Sequence, residues 1–142
     1  MRLVLDTNIL ISAFLWKGTT HRFIELVEEN EIQLFTTHIL LNELRDTLQS
    51  KKLALAITAS GFSAHDFVRR YRDMTSLITA RKMTQQICRD ADDDAVLACA
   101  LAARAQLIVT GDKDLRILHP FQNIAILPPA DALKLIDNST IG

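Results

Sequence analysis

The sequence predicts an α/β fold in which a parallel sheet is covered on both faces. Short apolar runs at Leu3–Leu5, Ile32–Phe35 and Leu107–Val109 read as strands buried on both sides. Stretches of helical length lie between them, and strands alternating with helices give parallel pairing. Only four Gly and three Pro in 142 residues leave little material for a loop-rich all-β fold.

Leu3–Leu5 is the first strand. Thr19 or Thr20 is placed to cap a helix carrying Phe23, Ile24, Leu26 and Val27. After the strand at Ile32–Phe35, Thr37 caps a helix whose apolar stripe is Leu40, Leu41, Leu44 and Leu48. Ser63 and Asp66 have capping-box spacing, with Asp in place of the usual Glu. They open a helix marked by Phe67, Tyr71, Met74 and Ile78. The stretch Thr79–Arg89 shows no clear period and is a place for an edge strand. Ala91–Arg104 is apolar nearly all round, which predicts a buried helix. Leu107–Val109 stops at Thr110-Gly111-Asp112. A last strand at Asn123–Leu127 precedes a helix after Pro128-Pro129.

Residues 1–142 form one domain of ordinary size. A chain 49% hydrophobic and 23% charged is globular rather than disordered. The longest apolar run, Ala95–Ala103, is too short to span a bilayer, and Asp6 breaks the apolar start before a signal-peptide core can form. A cytoplasmic chain without membrane contact is expected. Cys88 and Cys99 have no close Cys or His partner, so they read as reduced core thiols and zinc is not supported. The net charge of −1 does not by itself predict a nucleic-acid binder.

The acids carry the functional signal. Asp6 and Asp112 each follow a strand directly, at the carboxyl edge where open α/β sheets bind ligands. Either alone could be a helix cap. Glu43 borders its helix's apolar stripe, with no basic residue three or four positions away. Asp92-Asp93-Asp94 opens the buried helix. Acids there suit the helix dipole, but three exceed what a cap requires. Asp94 shares a face with Leu97, Ala98 and Leu101, so it is read as the inward member. Two carboxylates about 5 Å apart repel by roughly 3 kcal/mol at an effective dielectric near 20. An all-oxygen cluster of Asp6, Glu43, Asp94 and Asp112 therefore calls for Mg²⁺ or Mn²⁺. Thr7, Asn8 and Thr110 stand beside these acids and can orient them.

These residues carry a resemblance. Leu5-Asp6-Thr7-Asn8-Ile9, Asn42-Glu43-Leu44, Asp92-Asp93-Asp94-Ala95-Val96-Leu97-Ala98 and Thr110-Gly111-Asp112-Lys113-Asp114-Leu115 resemble, in order and spacing, a PIN-domain ribonuclease. The likeness extends to VapC-like toxin components of toxin–antitoxin pairs. It implies a three-layer α/β/α sandwich with a central parallel sheet. It also implies metal-dependent hydrolysis of single-stranded or looped RNA, leaving a 5′-phosphate and a 3′-hydroxyl. The implied ligands are Asp6, Glu43, Asp94 and Asp112, with Asp114 able to take part and Asn8 and Thr110 in support. It allows a small antitoxin protein as partner, and a homodimer. Leu115 departs from the pattern, since many toxin members carry Phe there.

Two other readings stand beside this one. Asp112-Lys113-Asp114 would suit a Toprim-like or phosphatase-like phosphotransfer enzyme, but the Toprim glutamate should end a strand and Glu43 reads as helical. A haloacid-dehalogenase phosphatase wants Asp at position 8, which is Asn8. A PIN-like domain that binds RNA or a partner without cutting is the non-enzymatic alternative, and four retained acids argue against it. Lys113 and Arg116 flank Asp112 and are the favoured phosphate contacts. Arg45, Lys51, Lys52, Arg69, Arg70, Arg72, Arg81 and Lys82 are further candidates. Trp16 could stack a base, though packing is its expected role, and the four histidines are read as partly exposed side chains outside the site.

Overall fold

In the computed structural model, which describes residues 1–16, 18–83 and 85–141, the chain alternates strands and helices. Strand β1 (Arg2–Leu5) leads into α1 (Thr7–Leu15) and α2 (His21–Glu28). Strand β2 (Gln33–Thr36) leads into α3 (His38–Leu48), α4 (Lys51–Ser60) and α5 (Ala64–Met74). Then come β3 (Thr75–Leu77), α6 (Ala91–Ala103), β4 (Leu107–Val109), α7 (Lys113–Arg116), β5 (Ala125–Leu127) and α8 (Pro129–Ile141). The five strands form one parallel sheet in the order β3-β2-β1-β4-β5.

Alternation along the strands divides the core into two. Leu3 and Leu5 of β1, with Leu107 and Val109 of β4, face a cluster built with α1, α2, α3, α5 and α8. Val4 and Ile108 point the other way, to a cluster dominated by Val96, Leu97, Cys99 and Ala100 of α6 and by Leu115 of α7. This is the expected three-layer α/β/α sandwich. The chain leaves β1 toward β2 on one side, and β4 returns on the other. The gap between β1 and β4 is thus the topological switch point, where such sheets bind ligands.

Most local signals are realised. The Thr37 hydroxyl accepts from Leu40 N–H at 3.3 Å, and the Ser63–Asp66 capping box is complete. Thr20 stands at the N-cap of α2, but its hydroxyl meets Ser12 instead of the helix amides. Two expectations shift. Helix α5 ends at Met74, and the edge strand occupies Thr75–Leu77 ahead of the stretch where it was expected, so Ile78 lies outside the helix. Its spacing fitted the helical period, but β2 supplies a ladder partner and Ile78 N–H bonds to Thr36 O at 2.9 Å. Two further helices, α1 and α4, carry no strong amphipathic signature; α1 is apolar nearly throughout and α4 has no fully buried residue. Cys88 and Cys99 are buried and unlinked, and burial pushes both thiols up to about 12. Trp16 is 51% exposed, so it is not a core residue. No helix among the described residues is long and apolar enough to cross a membrane.

Candidate metal centre

The carboxyl ends of β1 and β4 are tied together by one buried hydroxyl. Asp6 N–H bonds to Val109 O at 3.0 Å, continuing the ladder one residue past β1. The Thr110 hydroxyl donates to Asp6 Oδ2 at 2.7 Å, and Thr110 Oγ1 itself accepts from Asp112 N–H at 3.0 Å. Asp6 Oδ1 accepts from Thr7 N–H at 2.7 Å, capping α1, while Asp112 Oδ1 accepts from Asp114 N–H at 2.8 Å, capping α7. The caps fix both carboxylates and leave lone pairs free. Thr110 and the Thr7 backbone thus hydrogen-bond to Asp6, and Thr110 also to the Asp112 backbone. Asn8 is exposed, and its side chain makes no hydrogen bond to the acids among the described residues.

Helix α6 adds a third acid. One carboxylate oxygen each from Asp93, Asp112 and Asp114 lies within 4.8 Å of the others. Asp93 is 8% exposed, and burial, then Asp112 and other acids nearby, push its carboxyl up to about 6. Glu43 of α3 feels the acids at the end of β1 and at the start of α6. Burial first, then Asp92, Asp6, Asp90 and Asp93, hold it up at about 7. Asp6 is raised by burial and by Asp112, against the lowering pull of the Thr110 and Thr7 hydrogen bonds. Asp114 also meets Arg89, with Nη2 at 3.1 Å from Oδ1.

Asp94 is placed differently from the expectation. It is as buried as Asp93, but its oxygens accept backbone amides: Cys88 N–H to Oδ1 at 2.8 Å and Ile87 N–H to Oδ2 at 3.0 Å. Of the face it shares with Leu97, Ala98 and Leu101, only Leu97 is fully buried, and the carboxylate itself is occupied by the chain arriving at α6. Asp93, its neighbour, is the α6 acid whose carboxylate approaches those of Asp112 and Asp114. Its positions three, four and seven on are Val96, Leu97 and Ala100, all buried, so the same helical rule applied to each acid in turn would have raised it.

All these donors are carboxylate oxygens. A donor set of hard oxygens, crowded enough to raise its own proton affinity, fits a hard divalent cation such as Mg²⁺ or Mn²⁺. His and Cys are absent from the group, which leaves zinc unsupported among the described residues.

Seven of the ten basic candidates line three hollows. Lys113 and Arg116 line one beside β5, Arg45, Arg69 and Arg72 line a second, and Arg81 and Lys82 line a third. The histidines stay outside the acid cluster; His119 Nδ1, for example, accepts from Ile126 N–H at 2.9 Å.

Three comparisons with known proteins bear on this arrangement. A family model described as PIN domain matches residues 2–114. Among solved structures, the chain is similar to a chain of VapBC2 from Rickettsia felis, determined bound to a DNA fragment from its own promoter. The TM-score is 0.59 at 19% identity, over 89% of this chain and 97% of that one. No curated protein matches the chain in sequence.

Proposed function

The chain belongs to the PIN-domain family, and on that premise we propose that it is an endoribonuclease using Mg²⁺ or Mn²⁺ to hydrolyse phosphodiester bonds of single-stranded or looped RNA. The observation that carries the reading is the mutual 4.8 Å approach of carboxylate oxygens at the sheet's switch point. Asp93, Asp112 and Asp114 would hold the metal, with Asp6, tied to the Asp112 backbone through Thr110, and Glu43 beside them. Asp94, the ligand that spacing suggested, instead supports the chain leading into α6.

When bound, a divalent cation supplies an acidified water as nucleophile and charge stabilisation for the leaving oxygen. The protein's own part is positional. The Thr110 hydroxyl holds Asp6 and the Asp112 backbone in one register. Glu43 and Asp93, held at about 7 and about 6, give up their protons when the metal loads. No side-chain nucleophile is required, and the thiols, at about 12, are unsuited to serve as one. With water as nucleophile and the 3′ oxygen as leaving group, the products would be a 5′-phosphate and a 3′-hydroxyl. The similarity to VapBC2 supports a toxin role, with a small antitoxin protein as partner in the cytoplasm.

The test is cleavage of an unstructured RNA with Mn²⁺, Mg²⁺ or excess EDTA. Cleavage with either cation and none with EDTA is the expected result. Cleavage that survives exhaustive chelation overturns the metal mechanism. RNA that is bound but never cut under any cation favours a non-catalytic PIN-like domain.

A further inference from the structure

A cavity of about 490 Å³ is lined from α3 and α6, the helices that also carry Glu43 and Asp93. On α3, Ile39 lines it one helical turn before Glu43, on the same face. On α6, Asp94 lines it, next in sequence to Asp93, followed by Ala95 and Ala98. Ile39 is 64% exposed, an apolar side chain turned to solvent beside a charged centre. Arg81 and Lys82 also line the cavity, and neither forms an ion pair among the described residues.

We infer that this cavity is a nucleotide subsite of the RNA strand. One base of the strand rests against Ile39, Ala95 and Ala98, while Arg81 and Lys82 take a flanking phosphate. The inference rests on the ribonuclease reading above and adds where the substrate lies. A strand cut at an acidic centre must pass carboxylates that repel its phosphates, so neighbouring cations have to hold it. The cavity is of small-molecule size, and its apolar walls suit the face of a base. The other arginine hollow is less suited. Arg45 is two residues from Glu43, about 200° around α3 from the acid cluster.

The experiment measures equilibrium binding of a fluorescein-labelled, random-sequence ten-nucleotide single-stranded RNA in EDTA, so that cutting does not enter. Ala98→Trp, which fills the cavity, should weaken binding about tenfold, the size of one lost base contact. Arg81→Ala with Lys82→Ala should flatten the dependence of log K on log salt by about 1.4, roughly 0.7 for each lost phosphate contact. Ala54→Trp, on α4, should bind like the parent. The double variant changes only exposed side chains, so it decides the matter if Ala98→Trp fails to fold. Binding and salt slope that match the parent in the folded variants overturn the subsite, as does a parent that does not bind this RNA. Cleavage is measured separately with Mn²⁺. A parent that binds in this pattern yet never cuts refutes the nuclease reading alone, whereas one that cuts while both variants bind normally refutes the subsite alone.

Discussion

At the start of α6, two carboxylates one residue apart meet opposite surroundings. Asp93 reaches toward Asp112 and Asp114, a region where acids face acids. Asp94 turns to the chain between Ile87 and Arg89, where two backbone amides saturate it. The first carboxylate is held at about 6 by burial and like charges. The second already has its donors, and it holds a stretch that has no ladder of its own. Burial alone does not distinguish a ligand from a clamp, since both side chains are 8% exposed. The identity of the neighbours does.

The sharpest way to break this comparison is to neutralise each region in turn. Asp93→Asn and Asp112→Asn should each lower RNA cleavage by at least about 100-fold, beyond the range of most supporting residues around a metal. Asn remains a competent cap for α7 in place of Asp112. Both variants lose like-charge repulsion, so without metal they should melt at or above the parent temperature. Their stabilisation by added Mn²⁺ should shrink, because that shift comes from binding to the native state. Thermal melts with and without Mn²⁺, beside a cleavage assay, check this. An Asp93→Asn variant with full activity and a full Mn²⁺ shift would move the site away from α6.

Asp94→Asn should behave in the reverse order. One amide oxygen cannot replace two carboxylate oxygens serving Ile87 and Cys88, and hydrogen bonds to charged groups contribute about 1.5–3 kcal/mol. A loss of about that size should appear in denaturant melts, while the Mn²⁺ shift persists. An unchanged melting temperature combined with a lost Mn²⁺ shift would return Asp94 to the ligand set and make the clamp incidental.

The contrast also shows what the amino-acid sequence could carry. Asp6 and Asp112 were readable because each ends a short apolar strand, and parallel pairing of β1 with β4 brings such ends together. Glu43 was readable from the lack of a basic partner on its own helix. The choice between Asp93 and Asp94 was not settled by spacing, because both precede buried positions. What separates them is a non-local event, the return of Ile87 and Cys88 onto the helix start. The stop of α5 at Met74 has the same origin. A helical period ran on through Ile78, and β2 overrode it with ladder hydrogen bonds. Helix α4 escaped notice because it buries no complete side chain, and periodicity reports burial.

The two regions should also differ in pH response. Glu43 at about 7 and Asp93 at about 6 lie above their ordinary values of 4.5 and 3.8. In this window the folded chain binds more protons than the unfolded one, so ionisation costs stability as pH rises. The metal-free parent should therefore lose melting temperature, relative to a Glu43→Gln, Asp93→Asn double variant, as pH climbs from about 4.5 to about 7. Stabilisation by Mn²⁺ should grow over the same interval, because the ligands must be deprotonated. Melts at half-unit pH steps test both slopes. A gap between parent and variant that stays flat with pH would mean that neither burial nor neighbouring acids raise these two carboxyls.

The smallest expected effect probes the link between the regions. Arg89 follows the clamped Cys88 and reaches Asp114 of the acid cluster at 3.1 Å, with side chains 87% and 40% exposed. Such an ion pair contributes about 0.2–1 kcal/mol and is screened by salt. Arg89→Ala should thus cost little stability. Removing a cation beside the cluster should leave Mn²⁺ affinity equal to the parent's, or slightly tighter at low salt. Whether the clamp aims this arginine can be read from a double-mutant cycle with Asp94→Asn. If Asp94 positions the backbone from which Arg89 extends, the arginine is already displaced in Asp94→Asn, and removing it there should cost less than removing it from the parent. A coupling of about 0.5 kcal/mol or more, fading between 0.05 and 0.5 M salt, is expected for neighbours in one network. Strict additivity at low salt would mean that Arg89 finds Asp114 without help, and that clamp and cluster share a helix but not their energetics.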